Sequence, residues 1–214
     1  MKKRIFAAAV ITICLAIAGY GTLAFFTDEV VAHNVITSGG VAVEIHETTD
    51  KIDPVTGEAK PFEDVSGVMP GVSVSKIVQT KNTGANDAWV RVWVNVGISE
   101  PGNPILNPMI KNLPLTIQDA QGNVIDVIQM DFDLGDGADQ WTLGEDYYYY
   151  YNSSLAPGEL TAPLFENVKF APEMDNTYQN CKVMIDIIAE AVQVANNPIP
   201  EGGDVTDIKG WPNT

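Results

Sequence analysis

The chain has 214 residues and a formal net charge of −16, from 12 lysines and arginines against 28 aspartates and glutamates. This acidity argues against a nucleic-acid partner and against electrostatic docking on anionic lipid, because like charges repel. Two cysteines and two histidines are too few for a disulfide framework or for a metal site built from histidine and cysteine. Since 45% of the residues are hydrophobic, we expect a folded protein with a sizeable core.

The first segment has the layout of an export signal. It opens with three basic residues, continues through residues 5–26 without a formal charge, and has small residues near its end. We predict a signal helix over residues 1–24, with cleavage between Ala24 and Phe25. Cleavage would remove three positive charges and leave a mature chain with a net charge of −19. The alternative is a retained membrane anchor, since the apolar run is just long enough to span a bilayer.

Regular alternation of apolar and polar residues predicts strands over most of the remaining chain. Residues 88–96 are the clearest case, because a valine occupies every second position from Val90 onward. Residues 164–170 alternate in the same way, which places Leu164 and Phe165 on opposite faces. The predicted strands are residues 41–46, 72–78, 88–96, 115–117, 124–130, 147–151, 164–170 and 181–194.

Turn signals rich in proline, glycine and asparagine separate these strands, and no segment shows a helical stripe. We therefore predict an all-β protein, in which residues 39–195 form a jelly-roll-like antiparallel β-sandwich behind the cleavable signal helix. Residues 196–214 are rich in proline and glycine, and the sequence suggests no apolar anchor there. This segment is predicted to be a flexible C-terminal tail.

One acidic loop is a candidate calcium site. Asp131, Asp133, Asp136 and Asp139 cluster with two glycines, and calcium binds oxygen-rich loops of this kind. The spacing departs from the helix–loop–helix calcium pattern, and the alternative is a solvated acidic loop. No other metal or cofactor site is predicted.

No catalytic motif is recognisable, so we predict a protein that is not an enzyme. His33 and His46 do not form the His-Glu-x-x-His pattern of zinc hydrolases, and the Gly-x-Ser-x-Gly pattern of serine hydrolases is absent. Cleavage of the signal would leave Cys181 as the single thiol, which we expect to be a small buried apolar residue.

The aromatic residues allow two interpretations. Five consecutive tyrosines at residues 147–151, together with Trp89, Trp93 and Trp141, offer a platform for a glycan or a host protein. A secreted or surface binding module is therefore an alternative function. The other interpretation is that alternate tyrosines cover the core and the rest shield the outer face of a sheet.

Eight short stretches carry a family resemblance: GTLAFFTD (residues 21–28), GVAV (40–43), MPG (69–71), KNTG (81–84), WVRV (89–92), LAPGE (155–159), LFENV (164–168) and AEAVQ (189–193). In this order and spacing they resemble the TasA/camelysin family, which are exported biofilm-matrix proteins of Gram-positive bacteria. The resemblance implies a jelly-roll domain, cleavage by a signal peptidase of SipW type, and secretion to the extracellular matrix or cell surface. The family also includes members described as metallopeptidases, but this chain lacks a recognisable metal motif.

The resemblance further implies that copies polymerise into fibres by donor-strand exchange. Once freed by cleavage, residues 25–38 would be the donor segment, because an apolar segment can add to an exposed sheet edge through main-chain hydrogen bonds. A head-to-tail contact of this type does not close, so it makes filaments. The alternative is that the segment folds back on its own domain. Its large apolar side chains are Phe25, Phe26, Val30, Val31, Val35 and Ile36.

Overall fold

Residues 40–63, 65, 69–100 and 113–212 are described by the structure, which is a computed structural model. The predicted signal peptide, the cleavage site at Ala24 and Phe25, and the donor segment lie outside these residues. Within the described ranges, no helix is both long enough and apolar enough to cross a bilayer.

The described chain is all-β, as predicted, and its helical content is confined to three short 3₁₀ turns, at Asn176–Tyr178, Val194–Asn196 and Val205–Asp207. The strands are β1 (Val43–Ile52), β2 (Ala59–Pro61), β3 (Ser73–Asn82), β4 (Ala88–Ser99), β5 (Thr116–Gln118), β6 (Val124–Asp126), β7 (Ile128–Met130), β8 (Trp141–Leu143), β9 (Tyr149–Tyr151), β10 (Phe165–Phe170) and β11 (Lys182–Gln193).

The strands form two larger antiparallel sheets and a small hairpin. The five-stranded sheet has the order β2-β1-β3-β10-β7, and the four-stranded sheet has the order β11-β4-β9-β8. Strands β5 and β6 pair only with each other among the described residues. The predicted antiparallel pairing is therefore confirmed.

Both larger sheets contribute to one apolar core. On the valine face of β4, Val90 and Val92 are buried and Val94 and Val96 are partly buried, as the alternation predicted, and the apolar face of β11 lies beside it. Side chains from β1, β3 and β10 close the core from the other sheet. Full burial of each large aliphatic side chain stabilises the fold by about 1.5–3 kcal/mol. Core members include Val43, Val78, Val90, Val92, Phe165, Val168, Ile187, Ala189 and Ala191.

A β-bulge between β3 and β10 makes one face prediction wrong. The alternation over residues 164–170 placed Phe165 on the face opposite Val168 and Phe170, but all three belong to the main core. Phe165 pairs with Val78 whereas Asn167 pairs with Ser75, so two residues of β3 stand opposite one residue of β10 and the register shifts by one.

The predicted strand over residues 124–130 is two strands in different sheets. Strand β6 belongs to the hairpin, whereas β7 is the edge of the five-stranded sheet. Val127 lies between them, fully buried, and its backbone N–H donates to the Leu115 carbonyl. The short strands β2 and β8 had not been predicted, because three residues are too few to display an alternating pattern.

The segment predicted to lack an apolar anchor has one. Val205, Ile208 and Trp211 are buried, and they belong to a second apolar cluster on the outer face of the four-stranded sheet. We call residues 204–211 the strap. Its apolar residues are spaced three apart, and flanking prolines and glycines obscured this spacing in the sequence.

A carboxylate forms hydrogen bonds with β10 at the bulge between β3 and β10. Asp131 Oδ1 accepts hydrogen bonds from the backbone N–H groups of Glu166 (3.0 Å) and Asn167 (2.7 Å), and Oδ2 accepts from Asn167 Nδ2 (2.8 Å). Partial burial raises the pKa of Asp131, but the hydrogen bonds from Asn167 and Glu166 outweigh burial and lower it below its ordinary value.

Substitution Asp131→Ala is therefore expected to lower the free energy of unfolding by about 1–2 kcal/mol at neutral pH, because three donors lose a charged acceptor. The matched control Asp136→Ala removes the same charge from an exposed position of the same loop and should change stability by less than about 0.5 kcal/mol. Urea unfolding of the three proteins measures both differences.

The effect of Asp131→Ala should depend on pH in one direction. Because the folded-state pKa of Asp131 lies below its unfolded-state value of about 3.9, the stabilisation is fully present above that value. It is lost as the pH falls through the folded-state pKa. A difference between wild type and variant that persists undiminished in strong acid would contradict this account.

Candidate functional site

Strand β11 is the most prominent open edge of the described structure. It pairs with β4 over its full length of 12 residues, and within the described ranges no other strand pairs with it. Its other side therefore presents backbone N–H and C=O groups that can hydrogen-bond with an additional strand.

The composition of β11 does little to protect this edge. Proteins usually protect edge strands by making them short or by placing charges, prolines or bulges in them. Strand β11 is about twice the usual strand length, contains no proline, and runs in unbroken register with β4. Of its three charged residues, Glu190 is fully buried, Asp186 is partly buried, and Lys182 at the start of the strand is exposed. This edge is therefore suited to pairing with another chain.

A second open edge lies close to the first. Strand β2 pairs with β1 only at Thr48 and Ile52, so the first half of β1 has β3 as its one strand partner within the described ranges. Strands β1 and β11 also approach each other closely. The two open edges therefore border the same side of the domain.

The chain enters β1 through a tightly packed corner. The Ala42 carbonyl accepts hydrogen bonds from the backbone N–H groups of Thr83 (2.8 Å) and Gly84 (3.0 Å), and the Gly40 carbonyl accepts from Ala85 (3.3 Å). A Cβ atom on Gly84 would lie 2.7 Å from the backbone nitrogen of Ala42, so only glycine permits this approach. The residues that follow the predicted donor segment are thus fixed in position.

The same corner brings together two of the family-like stretches. Asn82 is fully buried, and its Nδ2 donates to the carbonyls of Asn86 (2.9 Å) and Leu155 (2.8 Å). Its backbone carbonyl accepts from Gly158 (2.8 Å), so the KNTG and LAPGE stretches support each other. The sequence did not indicate this contact, because 73 positions separate Asn82 from Leu155.

The outer face of the four-stranded sheet contains a buried ion pair that the sequence analysis missed. Arg91 of β4 stands directly opposite Glu190 of β11, and the two residues are 1% and 0% exposed. Arg91 Nε and Nη2 lie 2.8 Å and 2.7 Å from Glu190 Oε2. The alternation of β4 places Arg91 on this face, but no local pattern identifies a partner 99 positions away.

A second carboxylate and a phenol complete the polar surroundings of Arg91. Its Nη1 donates to Asp146 Oδ2 and to the Tyr150 hydroxyl, both at 3.1 Å, and that hydroxyl donates to Asp146 at 2.7 Å. Burial lowers the pKa of Arg91, but the hydrogen bonds with Tyr150 and Glu190 outweigh burial and raise it. Burial and the hydrogen bond to Asp146 raise the pKa of Tyr150 to about 12.

Aromatic rings enclose the guanidinium group. The Cζ atom of Arg91 lies 3.9 Å from the ring centroid of Tyr148 and 4.6 Å from that of Trp211 in the strap. Trp211 also packs edge-on against Tyr150, with ring centroids 5.6 Å apart. Cation–π contacts of a desolvated arginine contribute up to about 2 kcal/mol each.

The aromatic residues divide between the two faces, as one of the two interpretations predicted. Tyr149 and Tyr151 belong to the core, where Trp141 is fully buried. Tyr148 and Tyr150 lie under the strap with Trp89, whose Nε1 donates to the Asn197 carbonyl (2.9 Å). Most of the proposed aromatic platform is thus covered by residues of the same chain.

The four candidate calcium ligands do not converge. Asp131 Oδ1 already accepts hydrogen bonds from the backbone N–H groups of Glu166 and Asn167, and Asp133 Oδ1 accepts from Gln140 Nε2 at 3.0 Å. Asp136 and Asp139 are exposed. Within the described ranges, no three histidine, cysteine, aspartate or glutamate side chains come together in an arrangement that could hold a metal ion.

Of the remaining candidates, His46 lies in β1 opposite Gln79, and His33 lies outside the described residues. Cys181 is half-buried against the core, and burial raises the pKa of its thiol, which disfavours the reactive thiolate. Comparison of the chain with protein-family models, curated proteins and solved structures finds no match.

The ion pair on the outer face gives a stability prediction. Glu190→Leu leaves Arg91 buried with only Asp146 as a counter-charge, and we expect the free energy of unfolding to fall by about 3 kcal/mol. The double variant Arg91→Met with Glu190→Leu removes both charges and should be less destabilised than Glu190→Leu alone. Urea unfolding of the single and double variants measures this coupling, and additive effects of the two substitutions would contradict it.

Proposed function

We propose that this protein is an exported structural subunit of an extracellular matrix, and that it polymerises into fibres by donating its N-terminal segment to a neighbouring copy. The observation that carries the proposal is the open edge of β11. Strand β11 is twelve residues long and mostly apolar, and its side away from β4 has no strand partner in the described chain, so it can accept an added strand.

The donor is residues 25–38, released by a signal peptidase of SipW type between Ala24 and Phe25. The hydrogen-bonded corner at Gly40 and Ala42 supports this assignment, because it fixes the position at which the donor segment joins the domain. The acceptor side is the one bordered by β11 and the first half of β1. An added strand there would complete a jelly-roll-like sandwich, as in the TasA/camelysin family that the sequence resembles.

Strand donation also agrees with the geometry of filament growth. The donor and acceptor surfaces differ, so each copy offers one of each and the contact is head-to-tail. Such a contact propagates unless the rotation between copies closes a ring. The proposal assigns no catalytic residue and requires no cofactor.

The proposal predicts that protein beginning at Phe25 forms filaments visible by negative-stain electron microscopy, whereas protein beginning at Gly39 stays monomeric. Within the Phe25 form, Val31→Asp with Val35→Asp should abolish filaments, because charged side chains cannot fill apolar pockets of the acceptor.

The matched control is Thr37→Asp with Ser38→Asp, which adds the same two charges to the same segment outside its large apolar positions. Filaments should persist in this control. If the Gly39 form assembles as well as the Phe25 form, donation by this segment is wrong.

Assembly is also expected to depend on charge. Copies with a net charge of −19 repel each other, so added salt or a pH near the carboxylate pKa values should speed filament growth. Light scattering against ionic strength at neutral pH measures this dependence. Growth rates that are equal at about 10 mM and about 300 mM salt, where the Debye length falls from about 30 Å to less than 10 Å, would contradict it.

A further inference from the structure

The strap and the surface beneath it form an apolar cluster that is separate from the main core. The strap contributes Val205, Ile208 and Trp211, and the sheet contributes Tyr150 and Val192 as the buried members on its side. None of these five residues belongs to the core between the two sheets. Removing the strap from its site would therefore leave the main core intact.

The strap is locally organised by its own hydrogen bonds. Asp204 caps the 3₁₀ turn Val205–Asp207 by accepting from the Thr206 backbone N–H at 2.8 Å, and the Asp207 side chain accepts from the Asp204 backbone N–H at 3.1 Å. Trp211 Nε1 donates to the Ile208 carbonyl at 2.9 Å. These bonds can persist when the strap leaves the sheet, so the strap can move as one element.

A short exposed connection joins the strap to the rest of the chain. Ile199 packs against the second cluster, and residues 200–203, which are Pro-Glu-Gly-Gly, are all exposed. Four residues span at most roughly 14 Å, so this connection limits how the strap reaches its own site. A short connection between a stable domain and a separable element favours exchange of that element between copies.

We propose that the strap of one copy docks in the strap site of a second copy, so that copies of this chain are linked by reciprocal exchange. The strap of a second copy fits this site because it has the same sequence as the strap that already docks there, where Trp211 packs on Arg91 and Tyr150. This contact lies on the outer face of the four-stranded sheet, and it goes beyond the donation of residues 25–38.

The first test asks whether the site accepts a strap in trans. A fluorescein-labelled peptide of residues 203–212 is titrated, with fluorescence anisotropy as the readout, into the full chain carrying Val205→Ser, Ile208→Ser and Trp211→Ser. We expect saturable binding that weakens at least about tenfold when the peptide carries Trp211→Ala. Absence of binding, or equal binding of the two peptides, would overturn the proposal.

The second test asks whether copies exchange straps. Deleting residues 201–203 removes three of the four connecting residues and up to roughly 10 Å of reach, which disfavours docking of the strap in its own site. Size-exclusion chromatography with light scattering should then show discrete oligomers whose share rises with protein concentration. The same deletion combined with the three serine substitutions should show none of these oligomers.

The serine control separates strap exchange from fibre assembly, because fibres built by residues 25–38 do not require Val205, Ile208 or Trp211. Strap exchange is excluded if the deleted chain stays monomeric, or if the serine substitutions leave its association unchanged. If filaments fail to form, the donation of residues 25–38 is contradicted, but the results of the two strap experiments are not affected.

Discussion

The pairing of β4 with β11 is the constraint on which the rest of the structure depends. The two strands keep one register over 12 residue pairs, from Lys182 opposite Ser99 to Gln193 opposite Ala88. Because side chains alternate across a strand, this register places one apolar set from each strand in the core and Arg91 opposite Glu190 on the other face. A slip of one residue in β11 would turn Glu190 toward the core while Arg91 stayed on the other face, so the core and the ion pair specify the same register.

The same pairing connects the core to the two proposed binding surfaces, which are the open edge of β11 and the strap site. Pairing with β4 holds the backbone of β11 in an extended conformation, so its edge away from β4 is extended as well. An extended edge can accept a donated strand without first being ordered, which lowers the entropic cost of assembly. The face that carries Glu190 supports the strap, so β11 contributes both to the proposed acceptor edge and to the strap site.

The sequence predicted the features that depend on local periodicity. The valines of β4 and the apolar face of β11 are buried in the core or packed against it, as expected, since a period of two identifies a half-buried strand directly. The bulge between β3 and β10 was not predicted, because the carboxylate that hydrogen-bonds beside it, Asp131, lies 35 positions before Glu166. The strap was mistaken for a flexible tail because Val205, Ile208 and Trp211 are surrounded by turn-forming residues. The Arg91–Glu190 pair depends on a distant strand pairing that no local pattern encodes.

We propose above all that the open edge of β11 accepts a strand when copies assemble. Amide hydrogen–deuterium exchange of β11 in monomers and in filaments tests it most directly, since backbone N–H groups on an open edge exchange faster than those in a paired strand. The account predicts that the N–H groups of Lys182–Gln193 that do not bond to β4 become strongly protected in filaments. Unchanged exchange at these positions in well-formed filaments would contradict it.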